Sequence, residues 1–273
     1  MKLLIAVDME GISGVVTWNQ VTPDSTEWQR FRRIMTQEVN AAIRGACDAG
    51  VDEIIVTDGH WRGDNIIIED LDKRAKLNCG GTSPFSMIQG VDQGVDIAFF
   101  IGYHAMMGTP NAILDHTWSS TRITRVKLNG LAVGETGLNA AVCGHFNVPV
   151  ILLTGDQSVT QEAQALIPGI QTVLIKKATG RFSAECVSPI ENWITIEKAA
   201  KQAVIAFKNG NSSKPINNAT PIDMEIELQA SEMADKVALI PGLKRIDGLK
   251  IQFTCDTMPE AYLTFRSIVQ MAG

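Results

Sequence analysis

Six side chains in this 273-residue chain have the chemistry of a metal site. Three of its four histidines, His60, His104 and His116, each come after a short apolar run, and the first such run, residues 3–7, ends in Asp8-Met9-Glu10-Gly11. Residues i and i+2 of an extended segment point to the same side, so Asp8 and Glu10 can approach one ion together if the strand continues to Glu10. Beside Asp8, Glu10, His60 and His104, Glu135, which opens a helical segment, offers a fifth donor. Carboxylate oxygens combined with imidazole nitrogens suit Zn²⁺, with Mn²⁺ or Co²⁺ as plausible substitutes. Each residue alone has a plainer reading: a buried, hydrogen-bonded imidazole, or a helix-start carboxylate favoured by the helix dipole. His116, in Leu114-Asp115-His116-Thr117, lies in a stretch without periodicity and reads either as a solvated loop residue or as a catalytic group. His145, beside Cys143 and Phe146 near the end of a helical segment, reads as structural and part of the core.

The elements that would bring these donors together are legible as a repeating strand-helix pattern. Residues 3–7 are continuously apolar, as in a strand covered on both faces of a parallel sheet. Trp28, Phe31, Met35, Val39, Ala42, Ile43 and Ala46 recur at helical spacing over 26–49; Thr26 and Gln29 resemble a capping box, and Gly50 closes the segment. Strands at 53–57 and 96–101 lead into Asp58-Gly59-His60 and Gly102-Tyr103-His104. Asn129-Gly130 joins 121–128 to 131–133 as a hairpin, and the helix after it packs through Leu138, Ala141, Val142 and Phe146. A strand at 149–154, a helix near 158–166, a strand near 172–175 and a helix near 191–208 complete the pattern. Residues 209–221 read as a linker or long connection. Beyond it, Met224, Ile226 and Leu228 alternate with polar residues as in a half-wet strand, 249–254 is another strand, and 258–271 is a closing helix.

The expected fold class is α/β, a mainly parallel sheet flanked by helices, with a smaller α+β lobe. The expected domains are a metal-binding catalytic lobe over 1–208 and a small lobe over 222–273, with the hairpin of 121–134 available to join the second. In a parallel sheet all carboxyl ends lie on one edge, so Asp8, Glu10, His60 and His104 can meet there.

Composition narrows the classes of function. A net charge of −6 argues against a nucleic-acid binder held by phosphate neutralisation, and the Arg30, Arg32 and Arg33 cluster reads as a solvated helix face. Asp8 and Glu10 interrupt the first apolar run too early for a signal peptide, and no run approaches the ~20 residues needed to cross a bilayer. A soluble cytoplasmic protein is expected. Five scattered cysteines without a C-x-x-C pair suggest reduced thiols in place of a disulfide framework or thiolate zinc site. Phosphate-loop, dinucleotide-turn, H-E-x-x-H and nucleophile-elbow signatures are absent, and Gly80-Gly81 lacks phosphate-cradling spacing.

Five motifs carry a family resemblance: Val7-Asp8-Met9-Glu10-Gly11-Ile12-Ser13-Gly14, Asp58-x-His60, Pro84-Phe85-Ser86-Met87, Gly102-Tyr103-His104-Ala105 and Gly134-Glu135-x-Gly137-Leu138-Asn139-Ala140. With them the chain resembles the zinc-dependent D-aminopeptidases of the DppA type, first described from a bacterial dipeptide-transport operon. The resemblance implies two zinc ions per chain sharing Asp8, one also held by Glu10 and His104, the other by His60 and Glu135. It further implies His116 as the catalytic histidine, a short peptide as substrate, and a ring-like homo-oligomer enclosing the active sites. Two motifs depart from the family pattern. Ser-His-Ser around the catalytic histidine is Asp115-His116-Thr117 here, and Gly-Asp-Asp is Gly155-Asp156-Gln157. The expected function is metal-dependent removal of an N-terminal residue, a D-amino acid, from short peptides. Two alternatives stand beside it: a two-metal hydrolase of other cell-wall-derived amides or of phosphoesters, and a non-catalytic peptide-binding protein with a structural metal.

Overall fold

The computed structural model describes residues 1–273. In chain order the elements are β1 (Lys2–Val7), α1 (Trp28–Asp48), β2 (Glu53–Asp58), β3 (Ala75–Asn78), β4 (Ile97–Ile101), β5 (Ile123–Leu128), β6 (Leu131–Ala132), α2 (Glu135–His145), β7 (Val150–Asp156), α3 (Gln157–Leu166), β8 (Gln171–Gly180), β9 (Ser183–Cys186), α4 (Pro189–Lys208), β10 (Ile222–Leu228), α5 (Ser231–Val237), β11 (Lys244–Arg245), β12 (Lys250–Cys255) and α6 (Met258–Met271). Seven strands form one sheet in the order β3-β2-β1-β4-β7-β8-β9, parallel throughout except for β9 at the edge. A second, antiparallel sheet has the order β11-β12-β10-β5-β6, so the β5–β6 hairpin pairs with the strands that follow residue 221.

The apolar run of β1 is explained by burial on both faces. Leu3, Ile5 and Val7 belong to a core shared with α1 and α4, whereas Leu4 and Ala6 belong to a second core shared with α2, α6 and the smaller sheet. Strand order decides where a crevice opens. From β1 the chain builds outward through β2 and β3, then crosses back to place β4 on the other side of β1. The connections that leave β1 and β4 therefore cover opposite faces of the sheet, with α1 on one and α2 on the other, and such a switch point is where open α/β sheets bind ligands.

Several local expectations are revised. Glu27 already has helical dihedrals, so α1 starts at Trp28 without the anticipated capping box, and the Thr26 hydroxyl instead accepts from Asn19 Nδ2 at 3.4 Å. Arg30 and Arg33 are exposed, but Arg32 lies over the Trp28 ring at 4.6 Å and donates to the carbonyls of Asp64 and Asn65. Residues 209–221 form no regular element, yet they are anchored: Ser213 donates to the Val150 carbonyl and Asn218 to the Ala141 carbonyl. His145 is exposed at the end of α2, edge-on to Phe146, and not in the core. No helix is long and apolar enough to cross a membrane.

Candidate active site

The carboxyl ends of the central strands are tied together by the backbone before any side chain is considered. Asp8 N–H donates to Ile101 O at 2.9 Å, Gly59 N–H to Val7 O at 2.9 Å, and Tyr103 N–H to Thr154 O at 3.0 Å. Gly11 N–H donates to Gly102 O at 2.8 Å, an approach so close that a Cβ on Gly11 would lie 2.0 Å from Tyr103 O. Gly102 has φ +73° and its own Cβ would meet Asp8 O at 2.3 Å. Glycine at both positions is a steric requirement of the clasp that holds Asp8 and Glu10 beside His104.

The strand geometry expected to unite Asp8 and Glu10 does not apply, because β1 ends at Val7 and residues 9–11 turn. The turn brings the two carboxylates together by a different route. Asp8 Oδ1 and Glu10 Oε2 lie 3.0 and 3.1 Å from His60 Nδ1; Asp8 Oδ2 and Glu135 Oε1 lie 3.4 and 3.3 Å from His104 Nε2. His116 Nε2 stands 3.8 Å from Glu135 Oε1 and 4.0 Å from Glu10 Oε1. All six residues are buried. Three donor triplets are compact enough for an ion: Asp8, Glu10 and His60; Asp8, His104 and Glu135; and Glu10, His104 and His116. The first two share Asp8 and group His60 with Glu10 and His104 with Glu135, whereas the third keeps Glu10 with His104, the pairing implied by the resemblance. His116 does not follow a strand end; it lies in the irregular stretch between β4 and β5, its N–H donating to Ala105 O.

The donor set fits a metal on the chemistry of its own atoms. Each imidazole has one nitrogen against a backbone carbonyl: His60 Nε2 at 2.8 Å from Val21 O, His104 Nδ1 at 3.0 Å from Ala105 O, and His116 Nδ1 at 2.8 Å from Leu114 O. With the proton on that nitrogen, the other nitrogen turns its lone pair toward the carboxylates, the arrangement usual for metal-binding histidines. His104 Nε2 and Glu10 Oε2 have no hydrogen-bond partner although both are buried. Such atoms are costly unless something cationic compensates them.

Electrostatics point the same way. Burial works against charge on His60 and His104, but Glu10 and Asp8 around the first and Glu135 and Asp8 around the second outweigh it, raising both well above the ordinary histidine value. Burial would raise Asp8, yet His104 and His60 carry it well below the usual carboxylate range. This is a pocket whose field favours positive charge. His116 is shifted the other way, lowered by burial and by His104, so its imidazole is neutral near pH 7 and able to accept a proton. Its ring stacks on His104 at 4.0 Å and meets Trp18 edge-on at 5.5 Å.

The cluster forms one end of a cavity of about 1070 Å³, where Asp8, Glu10, His60, His116 and Glu135 line the wall together with Trp61 and Trp118. Trp61 and Trp118, with φ +47° and +65°, are in the left-handed region that bulky side chains rarely adopt. Trp118 N–H donates to Glu135 Oε1 at 2.6 Å, fixing that carboxylate.

The two departures from the family pattern have local partners. Asp115 Oδ1 pairs with Arg181 Nε at 2.9 Å and Oδ2 accepts from Gly108 N–H at 2.7 Å, an ion pair that serine could not make. Gln157 Nε2 donates to the carbonyls of Asn111 and Ala178, which an aspartate could not do. Sequence reasoning missed supporting residues behind the site. Asp58 accepts from the backbone of Asn65 and Ile66, and Asn65 Nδ2 donates to His60 O, holding the histidine loop. Lys176 is buried in β8, where burial pushes its ammonium down to about 8. No sequence pattern marks it, since Lys176 stands beside the exposed Lys177 in β8.

Comparison with known proteins covers nearly the full chain. The D-aminopeptidase family profile matches residues 1–267. A D-aminopeptidase of Bacillus subtilis (strain 168) is 34% identical over 274 residues, covering 100% of this chain and 98% of the relative. The solved structure of the Zn-dependent D-aminopeptidase DppA from Bacillus subtilis, a self-compartmentalizing protease, superimposes with a TM-score of 0.95 at 33% identity, covering 100% of this chain and 98% of that one. On sequence and on fold, this chain belongs to the D-aminopeptidase family.

Proposed function

We propose that this protein is a two-zinc aminopeptidase that removes the N-terminal residue, a D-amino acid, from short peptides. Asp8, Glu10, His60, His104 and Glu135 are the metal ligands, and His116 is the catalytic residue. One observation carries the assignment: three carboxylates and two imidazoles, all buried, converge with their free lone pairs facing one another. Bound there, two zinc ions supply Lewis-acid polarisation of the scissile carbonyl and acidify a water. Asp8 presents one oxygen to His60 and the other to His104, so it is the donor able to serve both ions.

The remaining chemistry belongs to the chain. His116 Nε2 takes up a proton and returns it to the departing amine, while Leu114 O holds Nδ1–H and keeps the ring oriented. The acidic wall meets the free amine of a peptide N-terminus, which favours cleavage of the terminal residue over internal cleavage. The lobe of residues 1–208 carries the ligands. The lobe of 222–273, joined by the hairpin of 121–134, closes the cavity through Arg266, Val269 and Gln270 of α6.

A ring-like homo-oligomer is part of the same reading. It is supported by the self-compartmentalizing relative and by exposed apolar side chains: Leu174 on β8, Phe182 in the β8–β9 turn, Val187 in the β9–α4 connection, and Ile190 and Ile194 on α4. A cytoplasmic location agrees with five cysteines that form no disulfide. The deciding experiment combines metal analysis with a panel of paired D- and L-residue peptides and phosphoesters. About two zinc ions per chain and D-selective release of the first residue are expected. A metal-free chain that cleaves nothing with zinc supplied, or one that cleaves only phosphoesters, rejects the proposal.

A further inference from the structure

Because β1 stops at Val7, the position of Glu10 depends on the turn that follows, and a turn needs to be held. The holding groups come from the opposite side of the sheet edge. Lys176 of β8, 1% exposed, donates its ammonium to three carbonyls of this turn: Glu10 O at 2.6 Å, Ile12 O at 2.8 Å and Val15 O at 2.7 Å. A lysine is seldom buried without an acidic partner, and here all three N–H groups are spent on one short segment.

A second tether acts three residues beyond Glu10. Ser13, fully buried, donates through N–H and Oγ to Glu38 Oε1 of α1 at 2.8 and 2.5 Å. Asn192 of α4 donates from Nδ2 to Ser13 Oγ and to Ile175 O, both at 2.9 Å, which links the tether to the residue preceding Lys176. None of these groups lines the cavity. They grip the ligand-bearing turn from behind.

We infer that Lys176, together with the Ser13–Glu38–Asn192 tether, is a positioning device that fixes the turn of residues 9–15 so that the Glu10 carboxylate meets His60 and Asp8. The inference rests on the proposed metal site. Groups that orient a metal ligand through its neighbours typically alter metal affinity by about tenfold to a hundredfold when removed. The ammonium acts here as a fixed monovalent cation, organising carbonyls that would otherwise repel one another.

The test uses the full chain, with zinc affinity measured by competition against a chromophoric chelator and backbone order by hydrogen exchange of the metal-free protein. Lys176→Met keeps the unbranched stem, ends it one atom short where the nitrogen stood, and removes the donors. Expected are a zinc affinity about tenfold or more below wild type and faster exchange over 11–15, with exchange in β1 and α4 unchanged. Ser13→Ala removes one hydroxyl, leaves the ammonium in place, and decides the matter if Lys176→Met does not fold; a loss in the same direction is expected. Wild-type zinc affinity and wild-type exchange in the folded variant overturn the positioning role. A wild-type chain that takes up no zinc defeats the proposed function instead, so the two failures are distinguishable.

Discussion

At the scale of single residues, the proposed mechanism separates groups that hold charge from the group that moves a proton. Among the clustered histidines, His116 is the one whose surroundings lower its basicity, and its Nε2 stands farther from the carboxylates than His60 Nδ1 or His104 Nε2 does. His116→Ala is therefore expected to lower kcat by about 10²-fold or more while zinc content is retained, checked by steady-state kinetics beside metal analysis. Near-full turnover would remove its catalytic role. Asp8→Ala deletes the donor shared by two triplets, so both ions should be lost, a result read directly by elemental analysis of the purified variant. Glu38 makes a separate prediction about pH. Burial raises its carboxyl from 4.5 to about 7, against the opposing hydrogen bonds from Ser13. A carboxyl with a raised folded value contributes stability that is present in full below 4.5 and lost as pH climbs toward 7. The cost at the upper end is on the order of 3 kcal/mol. Glu38→Gln, which cannot ionise, should gain stability relative to wild type across that window in parallel urea titrations; a constant difference would show that Glu38 is ionised throughout.

At the scale of elements, the strands that position the ligands were legible and the short segments around them were not. β1, β2 and β4 are apolar runs bounded by glycine-bearing turns, a pattern imposed by burial on two faces. β3 and β9 sit toward the sheet edges with half-exposed side chains, and their sequences Ala75-Lys76-Leu77-Asn78 and Ser183-Ala184-Glu185-Cys186 carry no periodic signal. Their strand character comes from pairing with β2 and β8. The same division explains the turn after β1. Asp-x-Glu suggests an extended pair, but the backbone bond from Gly11 to Gly102 bends the chain, and only the β4 loop supplies that acceptor. Gly11→Ala should therefore do more than an ordinary loop substitution. Its methyl would overlap the Tyr103 carbonyl and should destabilise the fold by about 1–3 kcal/mol or more, with loss of zinc uptake. A wild-type urea midpoint and normal zinc content would contradict the clasp between the β1 and β4 loops.

At the scale of the whole molecule, metal and assembly both enter the stability of the fold. Three buried carboxylates within reach of one another repel, so an ion bound only by the folded state should stabilise it, by about 4 kcal/mol when free zinc is a thousandfold above its Kd. Treatment with a chelator should lower Tm, and restored zinc should recover it; an unchanged Tm would argue against an occupied site. Light scattering should give a mass several times that of the 29.6 kDa chain, and a monomer would leave the exposed apolar patch on β8 and α4 without a partner. By itself the sequence determined the alternation of strands and helices and offered a set of candidate donors. Those features follow from local periodicity and side-chain chemistry, which a linear pattern records. Tertiary structure alone decided which imidazole faces which carboxylate, that a turn and not a strand carries Glu10, and that Lys176 reaches that turn from 166 residues away in the chain. Strand order and backbone contacts between distant loops set these relations, and spacing along the chain carries no measure of them.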